Sequence, residues 1–252
     1  MYKLLISILI LFTFSSCLQN KNLYYLQDID NQIEDSINQA NINNYRIQAH
    51  DILSIQIHGL DKKNISIFNI YSENISSYNN EAGLYLNGYI VNETGEIELP
   101  VIGKVEVINL TINEIQNKLN NLIGEFLKGA IVSVKLISFK ISIMGEVSRP
   151  GVYNIYKNQV NILEAISMAG DVTTYADIKK VLVIRSINGK TISNRIDLTD
   201  VKFIQSNAYY LFPNDIIYIQ PLKLKTIREN ISVYSLFLST ITTFILVFSF
   251  IK

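Results

Sequence analysis

Few residues in this 252-residue chain have types and spacings that could carry covalent or metal chemistry. Cys17 is the single cysteine, so it cannot close a disulfide within the chain. His50 and His58 are the two histidines. Both fall at even positions of a segment whose odd positions, Leu53, Ile55 and Ile57, are apolar, so they are expected to face solvent rather than share a metal. Glu96 and Glu98 share one face of a strand and could imitate a carboxylate pair, but no second catalytic partner accompanies them. The sequence has no nucleophile elbow, phosphate-binding loop or dinucleotide fingerprint. Neither enzyme chemistry nor a metal or cofactor is expected.

Charge excludes a further class. The chain carries 22 Lys+Arg against 22 Asp+Glu, a formal net charge of zero, whereas a nucleic-acid groove needs a phosphate-facing excess of Lys and Arg. The informative residues lie at the two ends. Lys3, an apolar run from Leu4 to Phe14, and Ser15-Ser16 before Cys17 read as a secretory signal over 1–16. The run is too short for a span of roughly 20 residues. Small residues directly before a lone cysteine resemble the lipobox of bacterial lipoproteins, where the thiol accepts a diacylglycerol group and becomes the new N-terminus. Phe14 stands where that motif usually has Leu. The alternative is an ordinary signal peptide with an incidental cysteine. On the first reading Cys17 is lipidated and residues 17–44, rich in Asn, Gln and Asp, form a polar tether.

The opposite end is uncharged from Ile231 to Ile251. A helix of that length rises about 31 Å at ~1.5 Å per residue, close to a bilayer core of ~30 Å, so a transmembrane helix is expected at 230–251. Ser232, Ser235, Ser239, Thr242 and Ser249 follow one another at helical steps and draw a hydroxyl stripe along one face. Such a stripe either lets helices pack closely or lines a wet lumen within a ring of helices. Both readings imply self-association.

Between the ends, apolar periodicity alternates between two and 3.6. Leu53, Ile55 and Ile57 alternating with Ser54, Gln56 and His58 read as a strand with one face buried, and Tyr89–Val91 with Glu96–Leu99 read as a hairpin turning at Gly95. Thr111 with Glu114 reads as a capping box opening an amphipathic helix that carries Ile112, Ile115, Leu119, Leu122 and Phe126. A second unit begins near Phe139, with turns at Arg149-Pro150-Gly151 and Asn188-Gly189 and a helix capped by Asn161. Most of the 15 tyrosines fall at positions that alternate toward the core. Strands and short helices alternate without long crossovers, which fits an α+β class. One spacing recurs: Tyr45, Ile47, Asp51, Ile52 and Ile55 match Tyr209, Leu211, Asp215, Ile216 and Ile219. Asp51 and Asp215 read as structural turn residues, because a carboxylate can hold a turn by accepting nearby backbone N–H groups.

These blocks, in this order, resemble the polysaccharide biosynthesis/export family. The motifs are the strand from Tyr45 to Ile57, Gly88–Val91 through Gly95–Gly103, and the helix from Thr111. They continue in Gly145-Glu146-Val147, Arg149–Tyr153 and Leu163–Gly170, which resemble the soluble-ligand-binding β-grasp module that follows the export domain in that family. The resemblance divides the chain into an export domain at 45–137 and one β-grasp domain at 138–222, where some relatives have two or more. At the two Asp turns the family usually has Pro-Gly-Asp, whereas this chain has Ala49-His50-Asp51 and Pro213-Asn214-Asp215. The resemblance implies a homo-oligomeric ring in the outer membrane lipid, its terminal helices closing a barrel, that conducts capsular or exopolysaccharide to the surface. It also implies an inner-membrane polysaccharide co-polymerase as partner. The rival expectation is a lipid-anchored periplasmic oligosaccharide receptor or sensor.

Overall fold

The computed structural model describes residues 24–27, 45–59, 65, 67–68, 83, 87–187 and 189–251, the side chains of 224, 226–235, 249 and 251 excepted. The segment 1–16, Cys17 and most of the tether therefore lie outside the described residues.

Strand alternation organises the first half. Leu53, Ile55 and Ile57 carry one face of β1 (Ile52–His58) into the core. β1 pairs antiparallel with β2 (Tyr89–Ile90) on one edge and with β5 (Ile131–Leu136) on the other. The hairpin expected between Tyr89–Val91 and Glu96–Leu99 does not form. Instead β3 (Glu96–Leu99) pairs with β4 (Gly103–Glu106). The reason is competition for backbone partners: the N–H of Val91 goes to the Asp51 carbonyl, and the Val91 carbonyl accepts from His50. α1 (Ile112–Gly124) opens on the Thr111/Glu114 capping box and buries Ile115, Leu119 and Ile123 against this sheet. It stops at Gly124, so Phe126 leaves the helical period and is 56% exposed, contrary to its expected place on the buried face.

The second half is a five-stranded sheet. Its strands are β6 (Lys140–Gly145), β7 (Gly151–Asn154), β9 (Ala176–Ile187), β10 (Lys190–Ile196) and β12 (Ile216–Pro221), in the order β10-β9-β12-β6-β7. Only the central β12–β6 pair is parallel. Gly145 is needed where those two strands part. Its φ is +92°, and a Cβ there would lie 2.0 Å from the Ile219 carbonyl oxygen. A short ribbon of β8 (Val160–Asn161) and β11 (Tyr210–Leu211) flanks the sheet. α2 (Ile162–Met168), capped by Asn161, packs Ile162, Ala165 and Ile166 into the second core. The architecture is α+β. Two hydrophobic cores result, and Leu136 packs against both.

The tyrosine expectation fails. Among the described tyrosines only Tyr89 is buried, and Tyr156 is 85% exposed. The phenol ring supplies apolar area while its hydroxyl favours a polar partner, which draws these residues to the boundary of the core.

α3 (Lys223–Ile251) follows β12 with only Leu222 between them. Among the described residues no helix is long and apolar enough to cross a membrane. The expected transmembrane helix at 230–251 is thus corrected to a longer helix whose contiguous described side chains, 236–248, rise about 20 Å at ~1.5 Å per residue.

Candidate functional site

The root of α3 is fastened to the second domain by a small, partly buried network. Lys225, in the first turn of the helix, places its ammonium 2.7 Å from Glu146 Oε1, and Thr173 Oγ1 donates to Glu146 Oε2. Glu146 is buried just past the end of β6, and its N–H bonds the Ile219 carbonyl. A carboxylate beside the first turn also suits the positive end of the helix dipole. Hydrogen bonds from Lys225 and Thr173 outweigh burial and hold the Glu146 carboxyl below the usual glutamate range. The tether fragment docks beside this root. Leu26 and Gln27 donate backbone N–H groups to the carbonyls of Leu198 and Thr199, and the Tyr25 hydroxyl donates to Asp171 Oδ1 at 2.6 Å. Burial and Asp171 together raise the Tyr25 phenol above its ordinary value, so it remains the donor. Asp171 and Thr173 sit on one loop, so the tether and α3 leave the second domain from neighbouring points.

Beyond its root, α3 is apolar and open. Leu236, Phe237, Leu238, Ile241, Phe244 to Phe248 and Phe250 are all exposed. Of the five stripe residues, Ser239 and Thr242 are described; the side chains of Ser232, Ser235 and Ser249 lie outside the described residues. Ser239 donates to the Leu236 carbonyl, and Thr242 to the carbonyls of Leu238 and Ser239. Thr240 and Thr243, which the stripe omitted, do the same to Phe237 and Ser239. The period-based stripe missed them because they sit one helical position to its side. The polar face is therefore a band. Back-bonding leaves no described hydroxyl hydrogen of the band unmatched, so this face can rest against other helices or lipid without stranding a donor.

The two Asp turns meet at the junction between the domains. Asp51 is buried and accepts from the Tyr45 hydroxyl at 2.7 Å and from the Gln48 N–H at 3.0 Å. Asp215, fully buried, takes a bidentate fork from Arg185. Arg185 in turn lies 3.8 Å over the Phe212 ring, and Phe212 meets the edge of Tyr45 at 5.6 Å. Burial pushes both carboxyls upward; at Asp215 the Arg185 fork pulls in the opposite direction. Nothing here brings a nucleophile and a base together. His50 and His58 are both exposed, and Glu96 and Glu98 lie along β3. Among the described residues no cluster of His, Cys, Asp or Glu could hold a metal.

Two packed cores joined at a seam, a tether fragment docked beside a helix root and an exposed apolar helix are the features that the described residues present. A family model described as polysaccharide biosynthesis/export protein matches residues 39–137, and an SLBB domain model matches 139–219. The chain belongs to the polysaccharide biosynthesis/export family, whose members are transport components rather than enzymes. It is similar to the EPS I polysaccharide export outer membrane protein EpsA of Ralstonia nicotianae (strain ATCC BAA-1114 / GMI1000), at 27% identity over 158 residues, 59% of this chain and 40% of that protein. It is likewise similar to the protein of the same name from Ralstonia solanacearum, at 31% identity over 149 residues, 56% of this chain and 39% of that protein. The matched part thus spans about two fifths of these curated relatives.

Proposed function

We propose that the chain exports polysaccharide across the outer membrane as a ring of identical copies. In this reading a lipid on Cys17 tethers each copy, α3 enters the membrane, and an inner-membrane co-polymerase supplies capsular or exopolysaccharide from below. The observation that carries it is the run from β12 into α3, a long helix rooted by Lys225–Glu146 whose described apolar side chains are exposed. That area needs a cover, and lipid on one side with sister helices on the other supplies it. The hydroxyl band gives a face from which passing sugars can be contacted weakly, since each back-bonded hydroxyl keeps acceptor lone pairs.

Electron microscopy of the detergent-extracted full-length protein is the direct test. Closed rings are expected, whereas a monomer would overturn the conduit. Ser239→Phe combined with Thr242→Phe is expected to abolish surface polymer while circular dichroism shows the two domains still folded. Normal surface polymer in that variant would remove the band from the polymer path.

A further inference from the structure

The junction between the domains holds a groove of about 440 Å³ beside the Tyr45–Phe212 contact, within the range of about 300–1,000 Å³ common for small-molecule sites. Four carboxamides line it. Gln48 and Asn109 come from the export domain, Asn194 from β10, and Asn207 from the segment before β11. The hydrogen bonds described for Gln48, Asn109 and Asn207 use their backbone atoms, and Asn194 is placed by the pairing of β10 with β9 opposite Val183. Among the described residues, none of these four side-chain amides is engaged in a hydrogen bond. Each offers two N–H donors and a carbonyl oxygen with two lone pairs, which matches neighbouring hydroxyls that both give and take hydrogen bonds.

Charge narrows the ligand further. Two guanidinium groups border the groove, but each already faces a carboxylate. Arg185 forks onto Asp215, and Arg46 Nη1 bonds the Asn109 carbonyl and reaches Glu114 at 3.4 Å. No Asp or Glu is among the lining residues. The site thus has little net charge to offer an anion. Apolar surface is present as well: Ile192, 47% exposed, lines the groove together with the Tyr45 and Phe212 rings. Amides and hydrocarbon in one lining fit a molecule that carries both hydroxyls and C–H surface.

We infer that this groove binds a short, uncharged, hydroxyl-rich stretch of saccharide. The inference rests on the export reading for the source of that saccharide, and it places a polymer contact in the periplasmic body, at the seam where the two domains meet. Since two amides come from each domain, an occupied groove also ties the domains to one another.

The test is titration of the full-length protein in detergent with maltotriose, triacetylchitotriose and tetragalacturonate, read by saturation-transfer NMR. At least one of the two neutral probes is expected to bind, and the acidic one more weakly. Asn194→Ala with Asn207→Ala should weaken neutral binding at least tenfold with the melting temperature unchanged. Gln48→Ala, on the other domain, should weaken it severalfold. Three results would overturn the inference: no neutral probe binds, binding is undiminished in both variants, or tetragalacturonate binds best. Surface polymer in cells separates the two ideas. If the wild-type chain restores polymer to cells lacking it yet binds no probe, the groove assignment fails and the export reading stands. If cells lacking the chain make normal polymer, the export reading fails whatever the titration shows.

Discussion

The turn before Asp51 and the turn before Asp215 are the same object, made twice. In each, the Asp N–H bonds the carbonyl three residues back, and the carboxylate accepts that residue's N–H, Gln48 in one and Phe212 in the other. In each, the preceding residue has positive φ, 70° at His50 and 65° at Asn214, and its N–H crosses to the adjacent segment. They differ in what meets the rest of the carboxylate. Asp51 has Tyr45 and, more distantly, Ser138, both neutral donors, whereas Asp215 has the Arg185 fork. Tyr209, the counterpart of Tyr45, packs its ring on Phe203 and Tyr210 instead. One backbone requirement is thus met by two electrostatic solutions. The pairs then touch through Arg185, Phe212 and Tyr45, so the seam between domains is built from the two turns.

The largest contrast is in what removing each partner costs. Arg185→Met leaves a fully buried Asp215 without its cation, and breaking a buried pair this way costs about 3–5 kcal/mol. Tyr45→Phe removes one hydrogen bond to Asp51 and should cost about 1.5–3 kcal/mol, at the level of a net hydrogen bond to a charged group. Urea unfolding of both variants checks the ratio. Equal losses would mean that the Arg185 fork contributes no more than a neutral donor.

Acid separates the regions by sign. Burial raises Asp51 above the usual carboxylate value, so the folded state holds its proton more firmly than the unfolded chain. Its contribution is fully present below the unfolded value of about 3.9 and is lost as pH rises through the raised folded value. Glu146 runs the other way. Lys225 and Thr173 lower it, so its contribution is present above the unfolded value of about 4.3 and is lost as pH falls through the lowered folded value. Melting curves between pH 3 and 7 should show Asp51→Asn removing part of the decline toward neutral pH, and Glu146→Gln removing part of the decline in acid. The same slope change in both variants would contradict the opposed environments.

Local rules were legible in the sequence where one short segment decides the outcome. The Thr111/Glu114 capping box and the Asn161 cap need only neighbours, and both are present. The recurrence of Asp51 and Asp215 was visible because the turn dictates its own spacing. Partner choice was not legible. Tyr89–Val91 carries a good hairpin pattern with Glu96–Leu99, but β1 competes for it and wins. Nor did any local pattern couple Arg185 to Asp215, thirty residues away, or gather four amides from both domains at one groove. Periodicity draws the hydroxyl band too narrowly because it ranks residues by angle, while back-bonding depends on side-chain type and lets Thr240 and Thr243 join. Family resemblance supplied the domain order, which periodicity alone did not.

The smallest effect sharpens the comparison most directly, because it concerns the backbone the two turns share. Left-handed φ costs an ordinary L-residue about 1–2 kcal/mol, whereas Asn tolerates it through local hydrogen bonding and Gly has no Cβ to clash. His50 and Asn214 hold that conformation at nearly the same angle. His50 is exposed, and its described hydrogen bond, to the Val91 carbonyl, uses the backbone N–H that glycine keeps, so His50→Gly should stabilise the export domain by about 0.5–1 kcal/mol. Asn214→Gly should gain only a few tenths, since Asn is already suited to the site. The gain at His50 is reduced from the full steric term because glycine also loosens the unfolded chain. If paired urea titrations returned equal gains, steric relief would not be what distinguishes the two turns, and the difference would have to come from their flanks, where Tyr45 and Arg185 meet the carboxylates.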